Sequence, residues 1–277
     1  MKQSSLIAIL RRWSLLASVS LLLLLLSLAG HGAPPGRQTL RVFIPCGTVG
    51  PVSQALELFR EGNPQLEIRQ VVDKGKPLAQ RLREGAACDV FIGRPEEMTP
   101  LLKAGLLDPT HHSPIAAQIL CLATPADNPA GLHSLQELAS PRLRTLALAP
   151  EQSHPGKYTR QALTRLGLTG KIKARVVVAS DAEALPALLG KGEVQAAILF
   201  LSCVQIGVDG QGKPIAPKRI SIIASLPATS HEPILLSAAT AAPSRQPQAA
   251  RRLVEFLGSS QARQFFLRSG FRAPKAE

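Results

Sequence analysis

The stretch Arg41–Phe59, RVFIPCGTVGPVSQALELF, reads as a strand, a turn and the start of a helix. β-Branched and aromatic residues favour the strand, two glycines and two prolines break it, and apolar residues then recur with helical spacing. Pro51 suits the first helical position, which leaves neighbouring N–H groups such as that of Thr48 without intrahelical partners. Such a helix start favours a small anion, although a purely structural turn explains the same pattern.

Residues 1–33 have the composition of an export signal. Three basic residues precede the uncharged apolar run Leu15–Ala29, which is shorter than the roughly 20 residues of a membrane span. We expect cleavage near Ala29 and a periplasmic or otherwise extracytoplasmic location. An uncleaved membrane anchor is the alternative.

The composition limits the classes of protein to consider. With 277 residues, of which 45% are hydrophobic, the chain is long enough for one large or two ordinary domains. The formal net charge of +13 raises the question of nucleic-acid binding. The basic residues are scattered and only 4% of residues are aromatic, so the sequence offers neither a basic arm nor a stacking platform. We therefore expect a basic solvated surface and no nucleic-acid partner.

Four cysteines are available in a chain that we expect to be exported: Cys46, Cys88, Cys121 and Cys203. One or two disulfides are permitted, with three possible full pairings, and the apolar surroundings of Cys88 and Cys121 favour buried free thiols. A thiol-dependent or metal-binding protein that uses Cys46, Cys203 and His154 is one alternative function. The pair His111-His112 has no further ligand at a suitable spacing, so no metal site is predicted there.

Strands and helical segments alternate along the chain, which predicts an α/β fold with mostly parallel sheets and helices on both faces. Ligands of such sheets bind at the carboxyl ends of strands, which selects the loops Pro45–Gly50, Val72–Pro77 and Gly93–Glu97. Residues 115–124 read as one apolar strand, followed by a crossover at residues 125–129.

The C-terminal helical pair, residues 248–267, has apolar faces that need a sheet to cover. The first lobe is the natural partner, so we expect that lobe to be discontinuous. The predicted lobes are residues 34–122 plus 228–277 and residues 123–227, with the ligand cleft between them.

Five segments together resemble the periplasmic molybdate-binding proteins of ABC transporters, which have the type II periplasmic binding fold. They are, in order, LRVFIPCGTVGPVSQALELF, LAQRLREGAACDVFIG, ADNPAGLHSLQELASPRLRTLALAPEQSHPGKYTRQALTRLGL, ASDAEALPALLGKGEVQAAILF and AARRLVEFLGSSQARQFFLRSGF. Their order and spacing cover nearly the whole mature chain. The resemblance implies two α/β lobes joined by two crossing segments, an oxyanion held mainly by neutral donors, a membrane permease as partner, and no cofactor.

The resemblance also places the binding positions of that family on this sequence. They fall at Gly47 or Thr48, within Lys74-Gly75-Lys76, near Pro155, at Ala182 and at Phe200. Thr48 keeps the hydroxyl of a family serine, whereas lysine ammonium groups stand where the second loop of the family has a neutral donor. Phe200 lacks the hydroxyl of the family's tyrosine.

At the third position Pro155 has no N–H to donate, so Ser153, His154 or Gly156 would have to serve. Ala182 still offers its backbone N–H.

The leading hypothesis is an exported, monomeric solute-binding protein that captures a molybdate- or tungstate-like oxyanion. The same fold could instead bind an organic or phosphorylated anion through three lysines and a histidine of the cleft: Lys74, Lys76, Lys157 and His154. The alternative reading of these residues is that they are solvated loop charges without a ligand. No GxSxG, GxGxxG, phosphate-loop or HExxH motif is present in the sequence, so no enzyme is predicted.

Overall fold

The elements of the fold follow from the alternation seen in the sequence. In the computed structural model, which describes residues 38–172, 175–205, 207–208, 214–215 and 217–274, a compact unit covers Thr39–Glu277. Its strands are β1 (Gln38–Pro45), β2 (Leu66–Asp73), β3 (Val90–Gly93), β4 (Leu107–Gln118), β5 (Leu120–Pro125), β6 (Leu146–Leu148), β7 (Val176–Val178), β8 (Ala196–Phe200), β9 (Gly207–Val208), β10 (Pro214–Ile215), β11 (Ile220–Ser225), β12 (Leu235–Ala241) and β13 (Phe271–Arg272). Its helices are α1 (Val49–Glu61), α2 (Gly75–Arg83), α3 (Pro95–Lys103), α4 (His154–Arg165), α5 (Thr169–Ile172), α6 (Leu185–Gly190), α7 (Pro247–Gly258) and α8 (Ser260–Arg268).

Two larger sheets define two lobes. The first lobe has the strand order β13-β4-β12-β3-β1-β2, and the second has the order β11-β5-β8-β6-β7. β9 and β10 form a separate antiparallel pair. The predicted two-lobed α/β fold is confirmed.

The strand directions are more mixed than the sequence predicts. β1 pairs in parallel with β3, and β6 pairs in parallel with both β7 and β8, as expected for βαβ units. β12 is antiparallel to β3 and β4, and β5 is antiparallel to β8 and β11. The prediction of mostly parallel sheets is therefore corrected to mixed sheets, because the strands next to the crossings between lobes enter each sheet in the opposite direction.

Both sheets are covered on both faces, as predicted for strands that alternate with helices. In β1, Val42 and Ile44 point into a core shared with α1, α7 and α8, while Phe43 points into the opposite core with α2 and α3. The C-terminal helices thus pack on the first sheet. In the second lobe, Leu146 and Ala147 likewise belong to cores on opposite faces. The period-2 alternation of the strands produces these paired cores.

The chain passes between the sheets at two places. The segment predicted to be one strand over residues 115–124 is two strands in different sheets, β4 and β5, with Ile119 between them. The second crossing lies between β11 and β12 and contains a short 3-10 turn, Ala228–Ser230. The predicted lobe boundaries at residues 122/123 and 227/228 stay predictions.

Some predictions concern segments outside this description. The predicted export signal, residues 1–33, lies outside the described residues. Within the described part of the chain, no helix has the length and apolar character needed to cross a membrane.

Candidate functional site

A cavity of about 410 Å³ lies between the two lobes, at the carboxyl ends of their strands. In the first lobe, the residues that immediately follow β1, β2 and β3 all line it: Cys46, Lys74 and Arg94. Loops that follow β6, β7 and β8 line it from the second lobe. Each of the three loops selected from the sequence therefore contributes to the cavity wall, as parallel strands with aligned ends require.

Most of the residues predicted to bind ligand line this cavity. They are Gly47, Gly75, Lys76, Ser153, His154, Ala182 and Phe200, together with Lys74 and Pro155. Thr48 and Gly156 are not among the lining residues. Lys157, a member of the predicted cationic cleft, also lies outside the cavity wall.

Thr48 and the start of α4 use their donors within the protein. Thr48 is fully buried and its hydroxyl donates to the carbonyl of Pro45 at 2.8 Å. The Ser153 hydroxyl donates to Pro150 O at 2.6 Å and accepts from the N–H of Gly156 at 3.2 Å, so it caps α4. A Cβ on Gly156 would lie 1.9 Å from Pro150 O, which leaves room only for glycine. In this conformation the hydroxyls of Thr48 and Ser153 stabilise the loops that form the cavity walls.

Arg94 is the principal cavity residue that the residue-by-residue comparison with the family missed. Arg94 is 6% exposed, its Nε donates to Gln118 Oε1 at 2.8 Å, and its guanidinium lies 5.9 Å from the centre of the Phe200 ring. The sequence feature that indicates Arg94 as a cavity residue is its position directly after β3, inside the selected loop Gly93–Glu97.

Arg94 is a cation in a largely solvent-excluded environment. Burial lowers the pKa of Arg94, against opposing effects of the carboxylates of Glu97 and Glu96 and the thiols of Cys203 and Cys46. A guanidinium nevertheless remains protonated at physiological pH. Phe200, where the resemblance implies a tyrosine, offers a ring face to this cation in place of a hydroxyl.

Acidic residues offset this charge on the second lobe. Asp181 and Glu183 line the cavity on either side of Ala182. Asp181 Oδ1 accepts from the N–H of Ala184 at 2.9 Å, and α6 begins at Leu185. Ala182 therefore lies in the turn before the helix, which the hydrogen bond from Ala184 to Asp181 stabilises.

A group of charged and polar side chains joins the lobes beside the cavity, and we call it the interlobe clasp: Glu96, Glu97, His154, Lys157 and Tyr158. Glu96 Oε1 accepts from the Tyr158 hydroxyl at 2.7 Å and from Lys157 Nζ at 3.0 Å. His154 Nε2 lies 3.0 Å from Glu97 Oε1 and 3.7 Å from Glu96 Oε2. The two glutamates belong to α3 in the first lobe and the other three residues to α4 in the second.

The clasp contains the residues best placed to hold a metal ion. The ligand atoms of Glu96, Glu97 and His154 all lie within 4.8 Å of one another. Burial raises the pKa of both glutamates, but the contacts with Tyr158 and Lys157 at Glu96, and with His154 at Glu97, outweigh it, so both pKa values are lowered. The clasp thus favours ionised carboxylates.

All four cysteines are free thiols. Cys88 and Cys121 are buried, as predicted, and burial raises the pKa of each thiol. Cys46 and Cys203 are exposed, and they line the cavity together with His154. The structure thus brings together the three residues of the thiol-dependent alternative, although His154 Nε2 contacts the clasp carboxylates.

Several known proteins are similar to this chain. YvgL of Bacillus subtilis (strain 168), provisionally named an ABC transporter substrate-binding lipoprotein, is 21% identical over 216 residues, which cover 78% of this chain and 79% of YvgL. The molybdate-binding protein ModA of Haemophilus influenzae is 22% identical over 227 residues, covering 79% of this chain and 84% of ModA. The solved structure of the periplasmic molybdate-binding protein of Azotobacter vinelandii superimposes with a TM-score of 0.68 at 21% identity, covering 85% of this chain and 100% of that chain. Identities this low establish the shared fold.

A family profile described as "Bacterial extracellular solute-binding protein" matches residues 40–272, nearly all of the described chain. The two lobes and the cavity between them agree with that description. The chain belongs to the bacterial extracellular solute-binding protein family.

Proposed function

We propose that this protein is the exported, monomeric substrate-binding component of an ABC transporter, and that it captures a small oxyanion such as molybdate or tungstate in the interlobe cavity. The family assignment and the names of the relatives YvgL and ModA support this role. The permease of the transporter would receive the anion outside the cytoplasm. The binding function itself depends on the chemistry of the cavity.

The observation that carries the proposal is the guanidinium of Arg94 at the cavity wall. Arg94 Nε is held by Gln118, which leaves the terminal nitrogens of the guanidinium as donors for a ligand. A Cβ on Gly47 would lie 4.0 Å from Arg94 Nη2, so this glycine borders the same donors without obstructing them. A guanidinium binds tetrahedral oxyanions through paired, charge-assisted hydrogen bonds.

The N-terminus of α2 strengthens the preference for an anion. α2 begins at Gly75 on the cavity wall, and its first N–H groups have no intrahelical acceptor. These donors and the positive end of the helix dipole favour negative charge. Lys76, exposed at the same helix start, adds a formal positive charge.

Calorimetric titration of the purified protein with molybdate, tungstate, sulfate and phosphate tests this proposal. We expect saturable one-to-one binding of at least one of these oxyanions, accompanied by a rise in the unfolding temperature. The absence of both heat and thermal stabilisation with all four would contradict it.

The size of the cavity favours a second candidate, an organic or phosphorylated anion. A volume of about 410 Å³ falls within the range of roughly 300–1,000 Å³ found for pockets that bind small organic molecules. Lys74 and Lys76 are exposed on its wall and could reach a carboxylate or phosphate carried by a larger ligand. For this candidate, Lys76→Ala should abolish binding of the organic anion, and unchanged affinity would rule out the role of Lys76.

A further inference from the structure

The carboxylates and the imidazole of the interlobe clasp converge in a way that their pairing as ions does not explain. We propose that Glu96, Glu97 and His154 form a binding site for a divalent transition-metal cation that bridges the two lobes. The proposed ligand atoms are Glu96 Oε2, Glu97 Oε1 and His154 Nε2, which lie within 4.8 Å of one another. This proposal is independent of the identity of the anion in the cavity.

Two buried carboxylate oxygens at this place have no hydrogen-bond donor when His154 carries its ring proton on Nδ1. Glu97 is 2% exposed, and within the described residues neither Glu97 Oε1 nor Glu96 Oε2 accepts a hydrogen bond. His154 Nε2 lies 3.0 Å from the first oxygen and 3.7 Å from the second, so in that tautomer three lone-pair-bearing atoms face one another. Leaving a buried acceptor of this kind unsatisfied is costly, and a cation placed between the three atoms removes that cost.

The second oxygen of each carboxylate is already fixed by the protein. Glu97 Oε2 accepts from the N–H of Arg94 at 3.0 Å. Glu96 Oε1 accepts from the Tyr158 hydroxyl and Lys157 Nζ, so the ammonium group is bound to the oxygen that does not face the proposed site. One anchored oxygen and one free oxygen per carboxylate is the arrangement that outer-shell hydrogen bonds give to metal ligands.

The spacing of the ligand atoms suits a small transition-metal ion. Metal–ligand distances of roughly 2.0–2.2 Å place neighbouring ligand atoms about 3–3.6 Å apart, and the observed separations of 3.0 and 3.7 Å are close to that range. One imidazole and two carboxylates favour Zn²⁺ or a similar ion over Mg²⁺ and Ca²⁺, which prefer oxygen ligands alone. With three protein ligands, at least one coordination position remains for water or another ligand.

The packing around the site leaves space for this geometry. A Cβ on Gly75, the first residue of α2, would lie 2.8 Å from Glu97 Oε1, so the absence of a side chain there lets this oxygen take its position. Because Glu96 and Glu97 belong to one lobe and His154 to the other, a bound ion would link α3 to α4. Metal binding would thereby stabilise the arrangement of the lobes seen here.

Calorimetric titration with Zn²⁺ and Mg²⁺ tests the site in tag-free protein previously treated with a chelator. We expect one Zn²⁺ per chain, with Mg²⁺ bound much more weakly. Glu97→Gln and His154→Gln should each weaken Zn²⁺ binding by about 100-fold or more, and Tyr158→Phe, which frees Glu96 Oε1 from one donor, by about tenfold. His111→Gln is the matched control, because it removes an imidazole that lies 2.8 Å from a carboxylate oxygen of Asp108 elsewhere on the protein.

The thiols of the cavity provide a second control. The double variant Cys46→Ser, Cys203→Ser should leave Zn²⁺ affinity unchanged. The proposal is overturned if wild-type protein binds no Zn²⁺ stoichiometrically, if binding survives in His154→Gln, or if it is lost in the serine double variant. Should Glu97→Gln fail to fold because Glu97 caps α3, His154→Gln decides the question, since the His154 side chain is 18% exposed and the change leaves that cap in place.

Discussion

The beginning of α3 contains two regions of opposite character, only two residues apart. Arg94, just before the helix, is a buried cation whose guanidinium faces the cavity. Glu96 and Glu97, in the first turn, are anions that cross to the other lobe and meet His154 and Lys157. In the first region the guanidinium faces the cavity, whereas in the second the carboxylates face side chains of the other lobe. The difference shows that the effect of each charge in this cleft depends on the direction in which its side chain points. The net charge of +13 does not reveal that direction.

The largest expected effect is the change in the alkylation rate of Cys203 with pH. It tests how strongly the protein around Arg94 and Cys203 excludes water. Cys203 is exposed by surface area, yet the protein atoms around it desolvate the thiolate and raise the pKa of Cys203 to about 11, more strongly than the positive charge of Arg94 lowers it. The thiolate is the reactive form, so alkylation of Cys203 by iodoacetamide should accelerate about tenfold per pH unit between roughly pH 7 and 10. Peptide mass spectrometry would measure the rate, with buried Cys88 and Cys121 as unlabelled references in the folded protein. A plateau near pH 8 would instead mean that the charge of Arg94 dominates.

Removing the cation itself should have the next largest effect. Arg94→Ala deletes charge-assisted hydrogen bonds worth about 1.5–3 kcal/mol each, and we expect oxyanion affinity to fall by about 100-fold in calorimetric titration. Arg83→Ala removes the same charge from the exposed side of α2 and should leave affinity within about twofold. Equal losses in the two variants would assign the effect to general electrostatics.

The clasp can be disturbed without changing any charge. In Gly75→Ala the new Cβ would lie 2.8 Å from Glu97 Oε1 and 2.9 Å from its Cδ, so the carboxylate must shift. We expect a loss of about 1–3 kcal/mol in the free energy of unfolding, as for other overpacked sites, measured by urea denaturation.

Gly170→Ala is the corresponding control on α5, since a Cβ there meets no atom within 4 Å. A helical glycine with space around it should gain up to about 1 kcal/mol on becoming alanine. A destabilisation of similar size in both variants would show that the effect at Gly75 is not due to Glu97.

The smallest effect is expected at Thr48, where a substitution tests whether the hydroxyl has a structural or a ligand-binding role. Thr48→Val removes the hydrogen bond to Pro45 O and should lower the free energy of unfolding by about 1 kcal/mol. Anion affinity should change less than twofold, because the hydroxyl proton is already donated to Pro45 O and is not available to a ligand. A large loss of affinity in the folded variant would mean that Thr48 turns toward the ligand on binding.

The sequence allowed the fold and the cavity loops to be predicted, because both follow from the order of elements. The strand ends that carry Cys46, Lys74 and Arg94 are set by local breakers such as Pro45 and Gly93, and parallel strands bring such ends together. The break between β4 and β5 was not predicted, since residues 115–124 are apolar apart from Gln118 and Thr124 and both halves are buried in sheets. Periodicity carries little information where nearly every residue is apolar.

The chemistry within the site was less accessible to sequence reasoning. Comparison with a family directs attention to positions where that family has donors, and Arg94 is not one of them. The clasp joins residues some 60 positions apart, such as Glu96 and Tyr158, and no local pattern reports such a contact. Whether a hydroxyl such as that of Thr48 faces a ligand or the backbone depends on one side-chain rotation, which sequence does not encode.

The single residue between β4 and β5 has a consequence for the entropy of ligand capture. On either side of Ile119 the two crossings are hydrogen-bonded to each other, from Leu226 N to Leu120 O and from Gln118 N to Ile234 O, both at 2.8 Å. A disordered linker would lose about 1–2 kcal/mol per residue on being fixed around a ligand. Here most of that ordering is completed when the protein folds, so the lobes meet their ligand with few backbone torsions left to restrict.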